Sequence, residues 1–150
     1  MRVPRLRILF LAIPMLVAAC GDIFGPGSEQ SQLETNRQRW RATGVTSYTF
    51  TVSTLCFCAV TGPVRVTVVN DSVVSATQTS NGQSVNPAWM PTIERLFDFI
   101  ARGIDEHAVV LDVTYDASLG FPSKITYDGS FAIADEEITY TVSDVSPTGR

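Results

Sequence analysis

The sequence has 150 residues, 45% hydrophobic and 17% charged, with 11 Lys and Arg against 15 Asp and Glu. Three of those cations, Arg2, Arg5 and Arg7, fall in the first seven residues, so the rest of the chain sets 8 cations against 15 carboxylates. That imbalance argues against a nucleic-acid partner and against adhesion to anionic lipid.

The three early arginines precede an apolar run from Ile8 to Ala19 that is too short to span a bilayer, so residues 1–19 have the pattern of a secretory signal peptide. Their removal leaves 131 of the 150 residues, one domain's worth and enough to bury a core. The end of the run, Leu16-Val17-Ala18-Ala19-Cys20, resembles a bacterial lipobox, in which small residues precede the cysteine that becomes a lipid-modified, palmitate-bearing N-terminus. An ordinary signal peptide followed by a structural cysteine is the weaker alternative, because no charged or bulky residue spoils the cleavage site.

Residues 20–28 read as a tether, rich in Gly and Pro. The eight that follow Cys20 reach at most about 28 Å at roughly 3.5 Å per residue, close to the membrane. Gly21 does not resemble an inner-membrane retention signal, but Asp22 beside it leaves the choice of membrane open. The single folded domain is expected over 29–150.

Ser31 and Glu34 have capping-box spacing, which predicts a helix from about Gln32 to Ala42, with Gly44 as its stop and Trp40 as a core anchor. From Tyr48 the period changes to two. Tyr48, Phe50 and Val52 alternate with Thr49, Thr51 and Ser53, and after Gly62-Pro63 the residues Val64, Val66 and Val68 alternate with Arg65 and Thr67. A third strand, from about Val73 to Thr79, follows the turn at Asn70-Asp71-Ser72. A loop over 80–84 and prolines on either side of Trp89 then lead to the main helix.

That helix is predicted over Thr92–Arg102: Ile93, Leu96, Phe97 and Ile100 form its buried face, and Gly103 is placed to end it. Three more strands follow, in which Val109, Leu111, Val113 and Tyr115, then Ile125 and Tyr127, then Ile138, Tyr140 and Val142 point inward. Runs of three strands joined by short turns favour antiparallel pairing. The expected fold is α+β, an antiparallel sheet of about six strands with one main helix on it and a short N-terminal helix.

Cys56 and Cys58 flank Phe57 near the first hairpin turn. On a regular strand their α-carbons would lie about 6.6 Å apart, so a bond between them requires a bend or bulge. A local disulfide in an oxidising envelope comes first, a buried thiol pair beside Tyr48 and Phe50 second, and a metal or redox site third, since zinc wants four ligands and His107 is the only histidine. His107 reads as a solvated loop residue, and without a second histidine or a Gly-X-Ser-X-Gly setting no hydrolase triad is supported.

Asp116 to Pro122 reads as a hairpin turn. Asp116, Asp128, Asp135, Glu136 and Glu137 could supply oxygens to a cation, though their spacing is not that of an EF-hand. From Asp105 onward only Lys124 and Arg150 oppose nine carboxylates, which predicts an acidic C-terminal half.

Trp40…Gly44…Tyr48, Cys56-Phe57-Cys58, Val64-Arg65-Val66-Thr67-Val68, Ile93…Phe97…Ile100, Tyr115-Asp116…Gly120-Phe121-Pro122, Asp128 and Asp135-Glu136-Glu137 together resemble an uncharacterised family of bacterial secreted and lipid-anchored proteins, domain of unknown function six-one-seven-four. Phe121 stands where that family more often has tyrosine. The resemblance implies an envelope domain without an assigned activity, cofactor or catalytic residue. The expected function is therefore a lipid-anchored cell-envelope protein, facing the periplasm or exterior, that binds or supports an envelope partner without catalysis. The alternative is a thiol/disulfide redox or metal-binding protein acting through Cys56 and Cys58.

Overall fold

A computed structural model describes residues 26–58, 60 and 62–148; the expected signal peptide, Cys20 and the expected tether as far as Gly25 lie outside the described residues. Two helices and six strands follow one another as α1 (Pro26–Ala42), β1 (Tyr48–Leu55), β2 (Gly62–Val69), β3 (Ser72–Gln78), α2 (Ile93–Asp105), β4 (Val110–Tyr115), β5 (Pro122–Asp128) and β6 (Ile138–Pro147). A short 3-10 turn, Pro87–Trp89, precedes α2. Among the described residues no helix is long and apolar enough to cross a membrane.

The strands form one six-stranded sheet in the order β3-β2-β1-β6-β5-β4, antiparallel at every junction. Each half of the chain makes a three-strand meander, and the halves are joined where the last strand pairs with the first. The predicted register is the one observed: Phe50 lies opposite Val66, Val52 opposite Val64 and Tyr48 opposite Val68, and all six are buried. Ile125 and Val142 continue this face across β5 and β6. Thr49, Thr51 and Thr67 occupy the other face, which no element among the described residues covers, as antiparallel sheets allow.

Both helices cover the apolar face. Leu33 and Trp40 of α1 and Ile93, Leu96, Phe97 and Ile100 of α2 are buried in one cluster with the strand residues. Trp40 meets the rings of Tyr48 and Phe121 edge-on, at centroid separations of 5.3 and 6.4 Å. Arg37 of α1 reaches Glu94 of α2 at 2.8 Å and also pairs with Asp98, which fixes one helix against the other.

Helix α1 starts at Pro26, six residues before the expected start at Gln32, so Pro26, Gly27 and Ser28 belong to the helix rather than to the tether. Proline has no N–H to lose at a first helical position and its φ suits it, while Glu29 in the first turn and Arg39 and Arg41 in the last match the helix dipole. The Ser31–Glu34 pair is interior, and Glu34 accepts a hydrogen bond from Gln30.

Helix α2 is capped by Thr92, where the predicted helix began, its hydroxyl accepting from the Arg95 amide, but it runs past Gly103 to Asp105. Gly103 is buried there because its flank must lie against Leu111: an added Cβ would sit 3.3 Å from the Leu111 methyls. The stop is made instead by His107, at φ 55°. The Ala108 amide donates to the Gly103 carbonyl and the His107 amide to the Ile104 carbonyl, the paired bonds of a Schellman end.

Two further turns carry the topology. Asn70 and Asp71, both at positive φ, make a two-residue hairpin loop whose twist matches the strands. In β6, Asp144 at φ 54° forms a bulge against β1 between Thr49 and Thr51, so that Val145 still reaches the core.

Candidate functional site

Strand β1 ends at Leu55, and Cys56 to Cys58 form a bend rather than a continuing strand. The bend brings the two α-carbons to 5.3 Å and a disulfide joins the cysteines. Cys56 is half-buried and Cys58 exposed, so the expectation of a buried thiol pair beside Tyr48 and Phe50 does not hold: those rings lie well up the strand, beneath the helices.

The bend holds Phe57 at its apex with 86% of its surface exposed, and Leu55 just before it is 76% exposed. Two concavities flank the tip. On the helix side, a cleft of about 340 Å³ is lined by both cysteines, Val60, Trp89, Met90 and Tyr140. On the open sheet face, a groove of about 490 Å³ is lined by Leu55, Phe57, Val110 and Ile138, with Asp128, Asp135 and Glu137 at its border. Trp89, exposed at 62%, is presented by the 3-10 turn that Asn86 caps through its side chain.

The β5–β6 loop carries two more exposed apolar side chains, Phe131 and Ile133, next to the carboxylates. Asp128 accepts from the Ser130 amide and so shapes this loop. Glu136 folds back toward Tyr127, and its Oε1 is buried without a hydrogen-bond partner among the described residues.

Of the five carboxylates considered for a cation, Asp116 stands apart from the other four. Asp116 lies at the opposite end of the β4–β5 hairpin from Asp128 and is used within its own turn, accepting from the Leu119 amide at 2.7 Å and from the amide and hydroxyl of Ser118. The Leu119 amide first, then the Ser118 hydroxyl, hold its carboxyl below the usual aspartate range. Among the described residues no three of His, Cys, Asp and Glu are grouped so that they could hold a metal ion. His107 stands at the end of α2 in its capping role.

Sequence pattern marks the disulfide, its bend and the solvent face of the strand, and the structure adds the exposure of Leu55 and Phe57. Its signal was present, because Thr49, Thr51 and Ser53 place every odd position of β1 on the wet face and Leu55 continues that series with an apolar side chain. Trp89 gave less sign of itself, since its exposure depends on how the 3-10 turn sits against β3.

No curated protein and no solved structure matches the chain significantly. A family model does match, over residues 32–147, a span that takes in α1 from Gln32 onward, α2, all six strands and the Cys56–Cys58 bend. The chain belongs to the family of unknown function DUF6174.

Proposed function

We propose that this is a lipid-anchored domain of the bacterial cell envelope, attached through Cys20, that binds an envelope protein with the tip of its β1–β2 hairpin and performs no chemistry there. The observation that carries the binding role is the exposure of Leu55, Phe57 and Trp89 around a disulfide-braced bend. Large apolar side chains gathered beside grooves are the anchors that protein interfaces use, whereas scattered ones are ordinary surface. The bend is braced in advance, so little conformational freedom is lost on binding.

The envelope placement is supported by the lipobox resemblance at Leu16 to Cys20 and by a disulfide suited to an oxidising compartment. Globomycin treatment or Cys20→Ala leaves uncleaved precursor on this reading. Continued cleavage of Cys20→Ala at the same bond, with the product still membrane-bound, rules out the anchor. Affinity isolation from solubilised envelope tests the binding role: a partner retained by the native domain is lost with Phe57→Ser, and retention unchanged by Phe57→Ser rules out the tip.

The exposed position of the Cys56–Cys58 bond favours a second reading, a reducible redox pair. Alkylation and mass spectrometry under graded redox buffers decide it. A potential below about −300 mV marks the bond as structural, and one within the range of thiol oxidoreductases marks it as active.

A further inference from the structure

We infer that the groove on the open sheet face below the hairpin tip receives a cationic segment bearing apolar side chains, contributed by the envelope partner; this rests on the tip being a binding site. The groove is lined by the apolar Leu55, Phe57 and Val110 beside Thr126 and Thr139 of the same sheet face, and by the acidic Asp128, Asp135 and Glu137. An apolar centre inside a charged rim is the arrangement of a protein-binding patch, with the centre supplying affinity and the rim supplying orientation and choice of partner.

Among the described residues the rim's charge is not spent. The ion pairs found there join α1 to α2 through Arg37, Arg41, Glu94 and Asp98. Among the described residues neither Asp135 nor Glu137 has a salt-bridge partner, and from Asp105 onward Lys124 is the only described lysine or arginine.

That field selects among occupants of an apolar groove. A second copy of this chain would bring the same carboxylates to the contact, and like charges brought together oppose association. A bilayer surface offers phosphates, which the rim repels when the lipid is anionic. A segment with Lys or Arg beside Leu, Ile or Phe satisfies both parts of the site, and its arrival is accelerated by the opposite charge.

The test is calorimetric titration of the domain with a synthetic peptide of alternating lysine and leucine. Two control peptides carry glutamate for lysine or serine for leucine. The first peptide binds and both controls fail or bind at least tenfold more weakly. Phe57→Ser and the double variant Asp135→Asn/Glu137→Gln each weaken the first peptide at least tenfold, whereas Glu29→Gln/Glu34→Gln on α1 leaves it unchanged. Thermal melts of each variant establish that these exposed substitutions leave the fold intact.

Equal binding of the serine control, or equal losses from the α1 variant, reduces the effect to general charge and overturns the inference. Phe57-dependent flotation with phosphatidylcholine vesicles, or Phe57-dependent self-association in sedimentation, overturns it in favour of a bilayer or a second copy. If the peptide fails while affinity isolation still yields a Phe57-dependent partner, the partner's chemistry is misassigned and the binding role stands. If both fail, both are wrong.

Discussion

The Tyr48 hydroxyl, buried at the start of β1, accepts a hydrogen bond of 3.0 Å from the Ile93 amide, the first N–H of α2. That amide is one of the four that a helix cannot satisfy for itself, so the sheet supplies what the helix lacks, and the Thr92 hydroxyl does the same for the Arg95 amide. Tyr48→Phe keeps the ring packing on Trp40 and removes the acceptor, leaving a buried N–H unpaired. Urea unfolding is expected to show a loss of about 1–3 kcal/mol. An unchanged midpoint would mean that the bond contributes nothing.

The same residue sets an alkaline limit. Burial pushes the Tyr48 phenol up to about 12 from the ordinary 10.0, so between those values the unfolded chain releases its proton while the folded chain keeps it. Stability is therefore fully present below pH 10 and falls as pH rises toward 12, Tyr48 accounting for a loss of order 2–3 kcal/mol. Tyr115 and Tyr140, raised by burial as well, act in the same direction. Tyr48→Phe makes the decline shallower, as equilibrium unfolding across this range would show.

The strand register makes a paired prediction. Phe50→Ala or Val66→Ala, at directly opposed buried positions, is expected to cost roughly 2–5 kcal/mol by emptying space in the core. Thr51→Ala or Thr67→Ala on the uncovered face should stay within about 0.5 kcal/mol of the native protein. Denaturant midpoints that reversed this ranking would place the wrong face in the core.

Gly120 and Gly44 separate backbone strain from helix docking. Both are at positive φ, but an added Cβ at Gly44 meets open space, whereas at Gly120 it would lie 2.6 Å from the Asn36 carbonyl of α1. Gly44→Ala is expected to cost about 1–2 kcal/mol, the penalty of the left-handed conformation. Gly120→Ala costs clearly more, since α1 must also shift. Equal losses in thermal unfolding would show that α1 is not seated on the β4–β5 turn.

Calcium should do nothing. With Asp116 committed to its own turn at the far end of the hairpin from Asp128, no shared oxygen cage exists for the ion among the described residues. The melting temperature is expected to stay constant up to millimolar calcium, and a rise of several degrees would reveal native-state binding.

The six strands, their register and the main helix were legible because alternation with period two and the Ile93, Leu96, Phe97, Ile100 spacing report directly which side chains leave water. Helix ends were less so. Gly103 looks like a stop in one dimension, yet its role is set by Leu111, which reaches it from the next strand. The α1 start was hidden for a related reason: Gly and Pro mark loops locally, but Pro26 sits where a helix tolerates proline. Asp116 stands apart from the other carboxylates because nearness in sequence says nothing about the two ends of a hairpin.

The central claim is that the hairpin tip is where this domain meets its partner, and photo-crosslinking in the living envelope tests it most directly. A photoreactive phenylalanine analogue is placed at Phe57 in one protein and at Thr67, on the uncovered sheet face, in another. Irradiation is predicted to give a discrete higher-mass adduct from position 57 and none from position 67. No adduct at 57, or the same adduct from both positions, would contradict the assignment of the tip as the binding surface.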